Sequence, residues 1–451
     1  MSSLAYLGII VFIFFTEIVR QKKTIFDFLS FFNILFCLML PLPAFLLATN
    51  LVKKTSELSF NLNVNDVQIL LAIFLGYLTI FVGFYSQGAI KYGKALKIEW
   101  RDRQVILTIA IFLLLLSTVA IHIYAAQFGG VVNAMSQATS IRTNTAEGAG
   151  PLSFFKHFMF LSYLASYLLA SLILLKPRKK YRFFFYSAFV LSAINSIIAA
   201  TTTGGRGHLI FYFLIFYLRR VIVSKKIPWL FTIILFMTGG LLILYGKTFF
   251  FSLSAIKDGF GAVQEVFLEG LDSQEPDKGS FLDDLVSNFS YPLYSLQAAF
   301  HTEYPQRLFV DWIYGIVAFL PERLLNVDVP DTISTLNTIY IVGNDEFEIP
   351  TGMFAFGIYS LSWLGLIIVC FSYGWIGRYL QTLLYQHIWD TSWMPFVYVM
   401  TAQMWIDYFT AGDPRIFLFA DFWALFGLFI LFTIGSKISL VRYSHHSKNT
   451  V

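Results

Sequence analysis

The sequence predicts an all-α polytopic membrane protein, one membrane domain over residues 1–451. Three observations carry this. Of 451 residues, 57% are hydrophobic and only 13% charged, where a soluble domain carries roughly 25%. Apolar runs of about 20 residues, long enough for a helix to cross a bilayer, recur along the whole chain. The lysines and arginines gather in short clusters between the runs, mainly in every second loop.

About eleven spans follow in order: 3–19, 24–49, 65–85, 104–127, 152–175, 183–203, 207–223, 228–249, 352–374, 391–411 and 416–436. The runs are continuous rather than alternating. Lipid offers no partner for backbone groups, so the spans are helices and not barrel strands. The opening "MSSLAYLGIIVFIFF" has no positive leader, and no small-residue cleavage site accompanies the "TEIVRQKK" that follows. It is read as a retained first span rather than a signal peptide.

Orientation follows from the basic clusters. One set of loops holds Arg20, Lys22 and Lys23, then Lys91, Lys94, Lys97, Arg101 and Arg103, then Lys176, Arg178, Lys179, Lys180 and Arg182. Arg219, Arg220, Lys225 and Lys226, then Arg378, and finally Lys437, Arg442 and Lys448 continue the set. These loops alternate correctly across all the spans, which puts them in the cytoplasm, the N-terminus outside and the C-terminus inside. The opposite face carries one long loop, 250–351, rich in acids as in "LEGLDSQEPDKGSFLDDL" and "GNDEFEIP". Such a loop is far longer than a connector needs. Within it "LFVDWIYGIVAFLP", 308–321, is an amphipathic or re-entrant candidate, too short and too polar to span.

The net charge of +5 sits in those loop clusters and does not imply nucleic acid. Cys37 and Cys370 lie inside apolar runs, so neither a disulfide framework nor a metal site is suggested. No internal repeat is evident, which weakens an inverted-repeat transporter reading.

The joint "TGGRG", 203–207, stands out. It lies on the outer side, with one arginine, Arg206, between Gly205 and Gly207. The glycines permit a tight turn and close approach of a ligand to the backbone. The next helix begins there, so its free amides and positive dipole end lie beside the guanidinium. Together they suit an anion, phosphate above all, which arginine binds bidentately. The bland alternative is an arginine that snorkels to headgroups or pairs with a loop acid.

Other outward groups are weighed the same way. Arg142 in "SIRTNTAEGAGP" is a further anion candidate or a partner of Glu147. Arg323 in "LPERLLNVDVPDTIST" is another, or a partner of Glu322 or Asp328. Arg307 reads as structural, with Asp311 one helical turn away. "WIDYFTAGDPRIFLFAD" collects Asp407, Asp413, Arg415 and Asp421, a mutual charge network or a substrate path. Lys156 and His157 sit near the outer end of the fifth span, where snorkelling also accounts for Lys156. Glu348, Asp345 and His301 are the candidate general bases. No P-loop, dinucleotide fingerprint or HExxH motif appears, and the histidines lack metal spacing. The expected chemistry uses no cofactor and no metal, and arginines carry it.

The layout resembles the Wzy-type bacterial oligosaccharide repeat-unit polymerases. The resemblance rests on many spans, the short "TGGRG" loop, a large late outer loop with "LPERLL", and its exit "IPTGMFAFGIYSLSWLGL". It departs from the family where Gly357 and Ile358, rather than an acid, precede Tyr359. The resemblance implies a GT-C-like fold in the bacterial cytoplasmic membrane, with the site facing periplasm or exterior. It implies transfer of a glycan from undecaprenyl pyrophosphate to the sugar hydroxyl of another lipid-linked unit. Arg206, Arg142 and Arg323 would be catalytic, with Glu348 or His301. Gly205, Gly207, Arg415, Tyr359 and Lys156 would bind substrate. Expected partners are lipid-linked glycans, membrane lipids, a flippase and a chain-length regulator. An O-antigen ligase, a flippase or other transporter, and a structural membrane subunit are the rival readings.

Overall fold

The computed structural model describes residues 2–22, 24–52, 61–142, 150–272, 281–319, 330–344 and 348–440. Eight helices among them are long and apolar enough to cross a membrane, or up to ten if each of two bent pairs is one span. They include Val67–Phe84, Arg103–Ala126, Lys179–Thr202 and Gly352–Tyr385, with Pro414–Ala420 and Phe422–Gly435 bent by 63° as one of the pairs. The chain is thus a helical, multi-pass membrane protein. Eight of the expected spans have a counterpart among these helices, and the two bent pairs lie over two more. The remaining one, 391–411, is the helix Met394–Ala411, with Asp407 and Gln403 on it. Its first nine residues are all buried, and it is not among the helices apolar enough to cross by themselves.

Two features depart from the sequence reading. The first is a strand pair in a chain expected to be all-α: β1 (Leu96–Trp100) and β2 (Ser436–Leu440) run antiparallel, Leu96 opposite Leu440 and Trp100 opposite Ser436. The turn after Tyr385 grips this ribbon. His387 Nε2 accepts the Ile98 amide at 3.2 Å while its Nδ1 meets Asp390 at 2.6 Å, and the Gln386 amide donates to Leu96 O at 2.6 Å.

The second is inside Gly352–Tyr385. Leu361 (φ −157°, ψ 41°) and Ser362 (φ 50°, ψ −143°) are not helical. A Cβ on Gly365 would lie 2.0 Å from Gly357 O, and one on Gly357 would lie 2.8 Å from Leu366 Cα. Residues eight apart in one straight helix are about 12 Å apart along the axis. The expected span 352–374 therefore opens with a tight hairpin, and only the limb after it, which runs on to Tyr385, is long enough to cross. The freed carbonyls of Tyr359 and Ser360 accept the amides of Arg307 and Leu308 at 3.1 and 2.9 Å.

The second limb packs against Val67–Phe84 through glycine. A Cβ on Gly83 would meet Phe371 O at 2.3 Å, and one on Gly374 would meet Ile80 O at 2.1 Å. Small residues let helix backbones approach where no hydrophobic force drives them together. Beside this seam Tyr373 stacks on Trp405 at 4.1 Å, and Phe32 meets Phe409 edge to face at 5.1 Å. Glu17, an acid within the first span, is bound to Arg20 at 2.7 Å, and Arg20 reaches Asp27 at 2.6 Å. That buried network is a structural clamp. The long loop folds onto the bundle as short helices, among them Tyr291–His301, Asp311–Val317 and Ile333–Val342.

Candidate functional site

Lys179–Thr202 ends in a sharp reversal at the end of the bundle away from the ribbon. Gly204 takes φ +62°, and the amides of Gly204 and Gly205 return to Thr201 O and Ala200 O at 3.1 Å each. This left-handed glycine termination lets Arg206–Ser224 start immediately, with Arg206 its first residue. The first-turn amides have no helical acceptor of their own. A Cβ on Gly205 would fall 2.3 Å from His208 Nδ1, whereas one on Gly207 would meet nothing within 4 Å. The joint is as tight as the sequence suggested, and His208 fills the space that Gly205 leaves.

Two cavities open beside this joint. The first, about 410 Å³, is lined by Lys156, His157, His208, Glu348, Arg415 and Phe419 among others. The second, about 490 Å³, is lined by Gly204, Gly205, Gly207, Tyr291, Gln403, Asp407, Asp421 and Trp423 among others. Both are lined by His208, Ile416 and Ala420, so the two halves of this cleft lie side by side with those residues between them.

The first cavity is cationic. Lys156 begins the short helix Lys156–Met159 and is half-buried. Arg415 donates to Pro330 O at 2.8 Å, and its Nε is buried without a partner among the described residues. No carboxylate of the described residues lies within 4 Å of either cation. Glu348, on the same wall, is held instead by the hydroxyls of Thr335 at 3.1 Å and Thr332 at 3.4 Å. Two cations free of salt bridges in a partly desolvated pocket suit an anionic ligand.

The acids of "WIDYFTAGDPRIFLFAD" do not form one network with Arg415, as the sequence allowed. Asp407 and Asp421 are neighbouring acids on the second cavity, with Gln403 beside Asp407. Asp413 turns away and caps helices: it accepts Arg415 N at 2.8 Å and Ser334 N at 3.1 Å.

The cleft therefore brings Lys156, Arg415, Glu348, Gly205 and Gly207 together. The main chain of Arg206 lies at its joint, and its side chain is outside the described residues. Arg142 ends the helix Ala138–Arg142, again with its side chain outside them, and Arg323, Asp345 and Glu346 lie outside them entirely. His301 lies elsewhere, its Nδ1 on Gln297 O at 2.9 Å and its Nε2 3.9 Å from Asp66. Tyr359 is also elsewhere, buried, its hydroxyl donating to Asn337 Oδ1 at 3.1 Å. Neither lines the cleft. Arg307 clasps Asp311 at 2.6 and 3.0 Å, as its spacing indicated. His208, Gln403 and Trp423 were not singled out. His208 had a visible signal, since it stands two residues after Arg206 in the same helical turn.

A scan against protein-family models and searches of curated proteins and of solved structures returned no match.

Proposed function

We propose that the chain is a polymerase of lipid-linked oligosaccharide repeat units, acting at the outer face of a bacterial cytoplasmic membrane. The observation that carries this reading is the meeting of Lys156 and Arg415, both free of salt bridges among the described residues, beside the Gly-Arg-Gly joint. A pyrophosphate leaving group gains charge as its glycosidic bond breaks. Cations already in place stabilise that charge without reorganisation, and one such contact is worth about a hundredfold or more in rate. Near a membrane the low dielectric strengthens them further.

Orientation supports the same assignment. Lys91, Lys94, Lys97, Arg101, Arg103 and Lys437 surround the ribbon end, so the positive-inside tendency makes that end cytoplasmic and turns the cleft outward. Pairing of β1 with β2 requires an even number of crossings between them, in keeping with the eight spans drawn from 104 to 436. In this reading the N-terminus is outside, the fold is GT-C-like, and the partners are undecaprenyl-pyrophosphate-linked glycans with the flippase and chain-length regulator that handle them.

The test is deletion of the gene in its host, with surface glycans compared by gel against the complemented strain. Loss of the long-chain ladder, with single repeat units still attached to their acceptor, is the expected result. Loss of every repeat unit would mean a ligase or a flippase instead. An unchanged pattern would reject the glycan reading.

A further inference from the structure

The second cavity extends the reading just given, and rests on it. We propose that the cavity of about 490 Å³ holds the acceptor sugar, and that the Asp407–Asp421 pair receives the proton its hydroxyl loses. Two neighbouring acids alone would be a strut between the helix Met394–Ala411 and the turn before Phe422–Gly435. Other features of the cavity go further. Gln403 lies beside Asp407, and its Oε1 is buried with no hydrogen-bond partner among the described residues. An amide oxygen shut away from solvent without a donor costs stability unless something donates to it. Gln403 lines the cavity, so a ligand hydroxyl placed there is the donor it lacks. Trp423, packed edge to face on Tyr163 at 5.4 Å, lines the same cavity and adds aromatic surface of the kind a sugar ring packs on. The volume is that of a small-ligand site.

The shared residues set the two cavities side by side, as a donor site and an acceptor site require. A donor pyrophosphate beside Lys156 and Arg415 and an acceptor ring beside Asp407 and Asp421 approach each other at His208, Ile416 and Ala420. The acceptor oxygen bonds the anomeric carbon of the donor sugar. The bond from that carbon to the phosphate oxygen breaks, and its electron pair leaves on the pyrophosphate. The hydroxyl proton passes to the acid pair. Two neighbouring acids out of water cannot both ionise and so share one proton; the pair takes up its second in this step. Glu348 and His301, the bases suggested by sequence, are not needed for it.

The experiment uses the full-length protein. Asp407→Asn, Asp421→Asn and Gln403→Leu are compared with Lys156→Ala, both for ladder formation in the deletion strain and for binding of farnesyl pyrophosphate to the purified chain in lipid nanodiscs. Asparagine preserves the shape of each acid and removes its ability to take up a proton. Both Asn variants are expected to lose chain lengthening by about a hundredfold or more, the scale of a general base, with undiminished probe affinity. Gln403→Leu should raise the acceptor KM with kcat retained, and Lys156→Ala should lose the probe. Parental polymerisation by either Asn variant overturns the proposal and leaves the polymerase reading standing. Loss of probe binding in the Asn variants also overturns it, because the acids would then support the phosphate cavity or the fold. An unaltered ladder in the deletion strain removes both readings together.

Discussion

Asp413 accepts the main-chain amide of Ser334 at 3.1 Å, and with its other carboxylate oxygen that of Arg415 at 2.8 Å. One fully buried side chain thus fixes the start of two helices, Ile333–Val342 and Pro414–Ala420, that hold Thr332 and Arg415 on the cationic cavity. Asp413→Ala leaves both amides without that partner and should cost about 2–4 kcal/mol, the sum of a lost cap and buried hydrogen bonds to a charged group. Thermal unfolding in detergent, followed by tryptophan fluorescence, measures it. A variant as stable as the parent would mean that other groups hold these helices.

The same residue gives a pH dependence. Burial raises the Asp413 carboxyl above the ordinary aspartate value, so the folded chain binds its proton more readily than the unfolded chain does. Its contribution to stability is fullest below the ordinary value and is lost as pH rises through the folded one. Asp413→Asn should flatten the fall in melting temperature across mildly acidic pH. An unchanged slope in that variant would assign the dependence to another group.

Arg206→Ala should abolish chain lengthening while the protein still accumulates in the membrane, and Arg206→Lys should be less severe, since a lysine keeps the charge but not the fork. The readouts are the glycan ladder and an immunoblot of the membrane fraction. Full activity of the alanine variant would remove Arg206 from the mechanism.

The two flanking glycines should part company. Gly205→Ala forces the His208 ring out of place and should reduce activity with the fold kept. Gly207→Ala meets open space and gains helix propensity worth up to about 1 kcal/mol, so the melting temperature should hold or rise. If Gly207→Ala is nonetheless inactive, close approach of a ligand to that backbone is the remaining cause.

Tyr359→Phe should cost about 1–3 kcal/mol by leaving Asn337 Oδ1 without its donor, with KM unchanged. A raised KM at parental stability would return Tyr359 to the substrate.

The helices and the joint were legible because each depends on contiguous residues: apolar runs of spanning length, and two glycines around one cation. The hairpin at Leu361 was not, because "FAFGIYSLSWLGL" is apolar throughout, and what reverses it is the fit of Gly357 against Gly365. Lys156 and Arg415 were each visible as outward cations. Their meeting was not, since it depends on Phe158 and His157 packing on Phe422 and Phe419 at 5.1 and 5.2 Å. The strands "LKIEW" and "SKISL" show partial alternation, but each is only five residues long and abuts a span or helix that dominates any window.

The ribbon also bears on how the protein is made. Leu96 emerges from the ribosome long before its partner Leu440, an interval on the order of tens of seconds at about 5–20 residues per second. β1 must wait, unpaired, while every helix between them enters the bilayer. A single helix threaded the wrong way would deliver β2 to the opposite surface, where no pairing is possible. Closing the ribbon is therefore a parity check on membrane insertion, passed only by a chain that has crossed an even number of times.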